Sequence, residues 1–244
     1  MRMKDMENEL LEKDILEKEI AGFIGRLLRD QFGRGPGGVH CTLSGLFLTV
    51  HLTSFLSPME KSLIERKQDI FVHKTRDLLM EKIINEIKSF TELTLKKEIR
   101  DFYYDWNLHL RSGMFLMVLP SSLQNDTAIP PYRNKEKVHH EIIEVSEEAQ
   151  KTPQKTESIL LNKRQLMIVR SGILVSIEKE LISLGFDETL IIAKRSLEKR
   201  LLDEHRKNFE AYLHSEITDF FVGWDFKKDI SYTLFIMNPD RNGT

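Results

Sequence analysis

The chain has 244 residues, of which 41% are hydrophobic and 30% charged, with a formal net charge of −2. This balance suits a globular protein with a core and supplies no global field to recruit nucleic acid or an anionic membrane. A single cysteine, Cys41, excludes an internal disulfide and fits a reducing compartment. The opening MRMKDMENELLEKD is rich in acids and lacks the apolar core of a signal peptide. The most apolar-leaning stretch, Gly45 to Leu56, is interrupted by His51 and falls short of the ~20 residues of a membrane helix. The expected location is therefore the cytoplasm.

Leu16, Ile20, Phe23, Ile24, Leu27 and Leu28 recur at helical spacing and predict an amphipathic helix from about residue 8 to 32. Gly33-Arg34-Gly35-Pro36 ends it, with Gly free to adopt a left-handed cap and Pro unable to continue a helix. Two alternating runs around Ser44-Gly45, Val39 to Leu43 and Leu46 to Leu52, predict a β-hairpin. Ser57-Pro58-Met59-Glu60 has the form of a capping box with Pro at the first helical position, so a short helix starts there and runs to about Lys67. Asp69 is the expected cap of a longer helix carrying Leu79, Ile83, Ile87 and Phe90. Phe102, Tyr104, Trp106, Leu108 and Leu110, then Met114 to Leu119, predict a closing hairpin. After Pro120 to Asn134, which contains Pro130-Pro131, the order repeats. It runs as a helix over 135–149, strands near 158–161 and 165–169, a short helix from Ser176 to Gly185, one long helix from Asp187 to about Leu213, and a hairpin from Phe220 to Met237.

The repetition is also visible residue by residue. Ser57 to Leu119 lies over Val175 to Met237 without a gap, and 15 of the 63 positions are identical, including Glu60/Glu178, Asp69/Asp187, Asp101/Asp219, Phe102/Phe220 and Trp106/Trp224. The two tryptophans of the chain are each other's counterparts. The chain reads as two tandem copies of one domain, 1–119 and 135–244, joined by a linker over 120–134. Each copy is a helix–hairpin–helix–helix–hairpin unit, an α+β fold with helices on one face of an antiparallel sheet. Trp106, Trp224, Phe102 and Phe220 are the expected core anchors, because one buried indole removes up to ~250 Å² from water. Two equivalent units further suggest a pseudo-twofold contact between the copies.

No residue set announces a reaction. The loop Gly33, Arg34, Gly35, Pro36 is the candidate contact for a ligand or partner, yet it follows a helix and so meets the negative end of the dipole. A helix-stop turn is the bland reading of the same residues. His139-His140 and His40-Cys41 are adjacent pairs whose members diverge, and no metal-ligand spacing occurs. Cys41 alternates with Val39 and Leu43, which places it on an apolar face where a thiol is inert. Asp101 and Asp219, beside Asn107 and Asp225, could serve acid–base work but read more simply as structural acids. The run Lys194-Arg195, Lys199-Arg200, Arg206-Lys207 is interleaved with acids and reads as a solvated, ion-paired face. No catalytic residue, cofactor or metal is assigned.

Gly33-Arg34-Gly35-Pro36, the hairpin Leu46–Leu56, Ser57-Pro58-x-Glu60-Lys61 and the closing hairpin from Asp101-Phe102 to Leu119 follow in an order that resembles the bacterial MpsC family. The resemblance covers Leu16 to Leu119 and, more weakly, Lys135 to Met237, where the Gly-Arg-Gly-Pro run and the Ser-Pro cap are missing. The family is associated by name with a cation-translocating, membrane-potential-generating system. What the resemblance implies is a non-enzymatic accessory or regulatory protein whose partners are integral-membrane subunits of ion or inorganic-carbon uptake. It would act in the cytoplasm or peripherally at the inner face of the membrane. A small-ligand sensor or enzyme with its site in the first copy, and a nucleic-acid-binding regulator, remain as alternatives.

Overall fold

The computed structural model describes residues 2–122 and 132–239, which form seven helices and two four-stranded antiparallel sheets, an α+β fold with two similar units. The units divide as Met1–Asp126 and Thr127–Thr244. Part of the expected linker, positions 123–131 with Pro130-Pro131, lies outside the described residues.

The first unit contains α1 (Arg2–Phe32), β1 (Gly38–Ser44), β2 (Phe47–Thr53), α2 (Pro58–Glu65), α3 (Asp69–Leu95), β3 (Asp101–Asn107) and β4 (Ser112–Val118), with strand order β1-β2-β4-β3. Gly33, at φ +70°, stops α1 in the left-handed region that L side chains rarely adopt. The chain then turns back so closely that the Gly37 N–H donates to Thr53 O at 2.8 Å. A Cβ on Gly37 would stand 2.8 Å from that of Ser54. The predicted capping box forms: Ser57 Oγ accepts from Glu60 N at 3.3 Å and Glu60 Oε2 from Ser57 N at 2.7 Å. The α1 stripe Ile20, Ile24 and Leu28 meets Val72, Met80, Ile83 and Ile87 of α3 over Leu48, Val50 and Leu52 of β2 and Phe115 and Met117 of β4. β3 ends one turn earlier than its alternating pattern predicts. Leu108–Arg111 form the turn, Arg111 takes φ +56°, and Leu110 is exposed rather than inward.

The second unit contains α4 (Lys135–Ala149), β5 (Lys155–Asn162), β6 (Gln165–Ser171), α5 (Ser176–Ser183), α6 (Asp187–Glu204), α7 (Arg206–Leu213), β7 (Ser215–Asp225) and β8 (Ile230–Pro239). Its strand order, β5-β6-β8-β7, repeats that of the first. The constant shift of 118 extends into the first helices: buried Ile20, Ile24 and Leu27 correspond to buried Val138, Ile142 and Val145. Two register irregularities, between Leu160 and Asn162 and between Ile217 and Asp219, set the hairpins of the second unit apart from those of the first. The expected long helix from Asp187 to Leu213 is not continuous. It breaks at His205, whose counterpart Ile87 lies inside an unbroken α3. No Pro or Gly causes the break; His205 turns instead toward acids of α4.

Candidate functional site

The most organised polar centre of the first unit is built on Arg76. α3 carries this side chain inward, where it is 1% exposed. A guanidinium without partners would be very costly there. Its Nε donates to Glu60 Oε1 at 2.7 Å and its Nη2 to Glu60 Oε2 at 3.1 Å and to Phe55 O at 2.9 Å. The guanidinium carbon lies 4.6 Å from the Trp106 ring centroid, 4.8 Å from that of Phe55 and 5.9 Å from that of Phe32. Among the described residues Nη1 has no hydrogen-bond acceptor, and the surrounding ring faces supply the electrostatic compensation. Burial alone would raise the Glu60 pKa; the hydrogen bonds and charge of Arg76, with the Ser57 cap, outweigh it and hold the carboxyl below its ordinary value. Gly113 leaves room for the indole, since a Cβ there would lie 2.4 Å from Trp106 Cε3.

The second unit keeps the pair and enlarges it. Glu178 and Lys194 stand at the positions of Glu60 and Arg76, with Nζ 3.1 Å from Glu178 Oε1 and 5.6 Å from the Trp224 ring centroid. Glu178 Oε2 accepts from Val175 N at 3.0 Å; valine offers no oxygen, so only the glutamate half of the cap survives. Glu198 then adds a second carboxylate, 3.4 Å from Lys194 Nζ, accepting from Trp224 Nε1 at 3.0 Å and from Arg170 Nη2 at 2.5 Å. Arg170 is tied by Nε to Ser231 Oγ at 2.9 Å and by Nη1 to Ser146 Oγ at 2.8 Å. Burial would raise the Glu198 pKa, but the charges of Arg170 and Lys194 and the donors on it lower it. In the first unit the positions of Arg170, Glu198, Ser146 and Ser231 hold Leu52, Met80, Leu28 and Gly113. Each centre is charge-neutral and closed by its own partners. Chemically it anchors a helix corner beneath an indole; it offers no exposed nucleophile or base.

Charged residues on a helix ordinarily signal solvent, and that reading misplaces this site. Lys194 and Arg195, expected on a solvated face, are 3% and 7% exposed. The usable signal was the match of Glu60/Glu178 and of two cations, Arg76/Lys194, at the same shift that pairs the tryptophans. Trp106 and Trp224 are buried, Phe220 is buried, and Phe102 is half-buried against the core.

The other sequence candidates lie apart from these centres. Arg34 is exposed in the turn after α1 and makes no ion pair among the described residues. Asp101 is engaged by Arg100 at 2.7 Å, and Asp219 Oδ1 accepts from Phe220 N at 2.8 Å. Cys41 is half-buried, and burial with the nearby Glu17 charge holds its thiol well above the usual range. His40 and His51 face each other across β1 and β2, and burial with the neighbouring His40 pushes His51 down to about 4.

Against known families, residues 12–121 match the model described as Na+-translocating membrane potential-generating system (MpsC). The first unit belongs to the MpsC family. The match spans the MpsC unit from α1 through β4, including the Arg76 centre and the Gly33–Pro36 turn. No curated protein and no solved structure matches the chain. Among the described residues of the MpsC unit and its companion, no helix is long and apolar enough to cross a membrane.

Proposed function

We propose that the chain is a non-enzymatic accessory or regulatory protein, acting at the cytoplasmic side on integral-membrane subunits of an ion-translocating or inorganic-carbon uptake system. The MpsC match over 12–121 is the observation that carries this reading. Two features support it. The buried charges of each unit are spent on each other, as in a scaffold. Large apolar side chains of α2 and the start of α3, Met59, Ile70 and Phe71, are exposed, as contacts for another protein would be. In this reading the exposed Arg34, in its glycine-rich turn, is a further partner contact.

The test is affinity capture from native membranes with the full chain as bait. An integral-membrane transport subunit should be recovered, and Phe71→Ser and Arg34→Ala should reduce its recovery without changing the melting temperature. Capture of no membrane protein by a correctly folded bait would refute the reading.

A further inference from the structure

The break at His205 gathers a second set of polar groups in the second unit, separate from the Glu198 network. Glu141 and Glu144 lie one turn apart on α4, and His205 sits between α6 and α7. One potential ligand atom from each of these three residues lies within 4.8 Å of the others. His205 Nδ1 is 2.6 Å from Glu141 Oε1, and Nε2 is 3.1 Å from Glu148 Oε1. Asn208 Nδ2 donates to the same Glu141 oxygen at 2.7 Å. Glu141 is buried, while Glu144 and His205 are half-buried.

The first unit shows what these positions hold when only packing is required. The counterparts of Glu141, His205 and Asn208 are Phe23, Ile87 and Phe90. Phe23 and Phe90 stack there with ring centroids 3.8 Å apart, and α3 runs through without interruption. The second unit gives up that stacked pair and a continuous helix to place a carboxylate, an imidazole and an amide at one point. A simple ion pair between Glu141, His205 and Glu148 has no need of Glu144, whose own partner is the exposed His140 at 3.3 Å.

We propose that Glu141, Glu144 and His205 form a binding site for a divalent first-row transition ion of the zinc type. One nitrogen and two carboxylates are a donor set that such ions accept, whereas Mg²⁺ and Ca²⁺ favour all-oxygen shells. At the tetrahedral angles usual for zinc, bonds of about 2.0–2.2 Å place ligand atoms about 3.3–3.6 Å apart, so side-chain rotation must draw the three together around an ion. Nδ1 takes the ion between the two α4 carboxylates. Nε2–H stays on Glu148, and Asn208 orients Glu141. This is the outer-shell arrangement that fixes a histidine ligand's tautomer and ring plane. The ion would fasten α4 to the α6–α7 joint. This inference does not depend on the membrane-partner reading, and its outcome leaves that reading unchanged.

The experiment is titration of the full chain with Zn²⁺ by calorimetry, with Co²⁺ absorption as the spectroscopic counterpart and Mg²⁺ as the control. About one equivalent of Zn²⁺ should bind, and Mg²⁺ should not. Glu144→Gln and His205→Gln should each weaken binding by roughly tenfold or more. His140→Gln should leave it unchanged. Glu144 lies outside the His205 ion pairs, so its variant keeps the fold and decides the matter even if His205→Gln is unstable. Absence of Zn²⁺ binding, binding indifferent to Glu144→Gln, or binding abolished by His140→Gln would each overturn the site.

Discussion

The two units solve one packing problem with different chemistry. Both rest an indole on a buried cation paired with the glutamate at the start of the short helix. In the first unit the cation is Arg76 and its surroundings are aromatic: Phe32, Phe55 and Trp106. In the second the cation is Lys194, and the positions of Phe32 and Phe55 hold Gln150 and Ile173. Gln150 donates to Glu178, and Glu198 and Arg170 complete a four-charge network. The planar guanidinium fits an aromatic box and a two-pronged contact with one carboxylate, whereas a compact ammonium in a less aromatic site draws further charged partners. The difference teaches that the fold specifies a buried cation beneath the indole, while its surroundings are free to change as long as every charge is matched.

Exchanging residues between the units tests that rule. The largest effect is expected for Glu198→Met, which places the first unit's residue in the second. It removes the carboxylate that Arg170 and Lys194 share and leaves Lys194 paired with Glu178, at a cost of about 3–5 kcal/mol. Each unit has one tryptophan, so denaturant unfolding in a Trp106→Phe background reads the second unit through Trp224. A loss below about 1 kcal/mol would show that the network is dispensable. The reverse exchange, Arg76→Lys in the first unit, keeps the charge and removes part of the bidentate contact and the Phe55 O bond. The expected loss is about 1.5–3 kcal/mol, followed through Trp106 in a Trp224→Phe background. An unchanged midpoint would mean that the aromatic box does not discriminate between the two cations.

Acidification gives the mildest test. Glu60 and Glu198 both have native pKa values below their ordinary value of 4.5. Their contribution to stability is therefore complete above the unfolded value and is lost as pH falls through the lowered native values. Each of these glutamates takes up one proton, so the melting temperature of both units should fall as the pH drops below 4.5. A unit whose melting temperature does not respond to acid would show that its glutamate is not held by the buried cation.

Much of the fold was legible because it rests on local rules. The helical stripe of α1, the Ser57–Glu60 box and the alternation of Leu48, Val50 and Leu52 act within a few residues, and the shared strand order follows from their repetition. The polar centres were not legible for the opposite reason. Glu60 and Arg76 are 16 positions apart, Arg170 and Glu198 are 28 apart, and Glu141 and His205 are 64 apart. A charge on a helix reads as solvated unless its distant partner is known. The end of α6 was hidden as well: Asp203-Glu204-His205-Arg206 contains no residue that stops a helix, and the tertiary pull of α4 on His205 decides the matter.

That interruption changes how the backbone opens. An amide next to Ile87 in α3 exchanges with solvent only when a long hydrogen-bonded rod opens around it. α7 is eight residues long and begins afresh at Arg206, so its first turn starts without the ladder of α6 behind it. The amides of residues 206 and 207 therefore take up deuterium ahead of their counterparts 88 and 89, and the seam between the two short helices is where the second unit first lets water in.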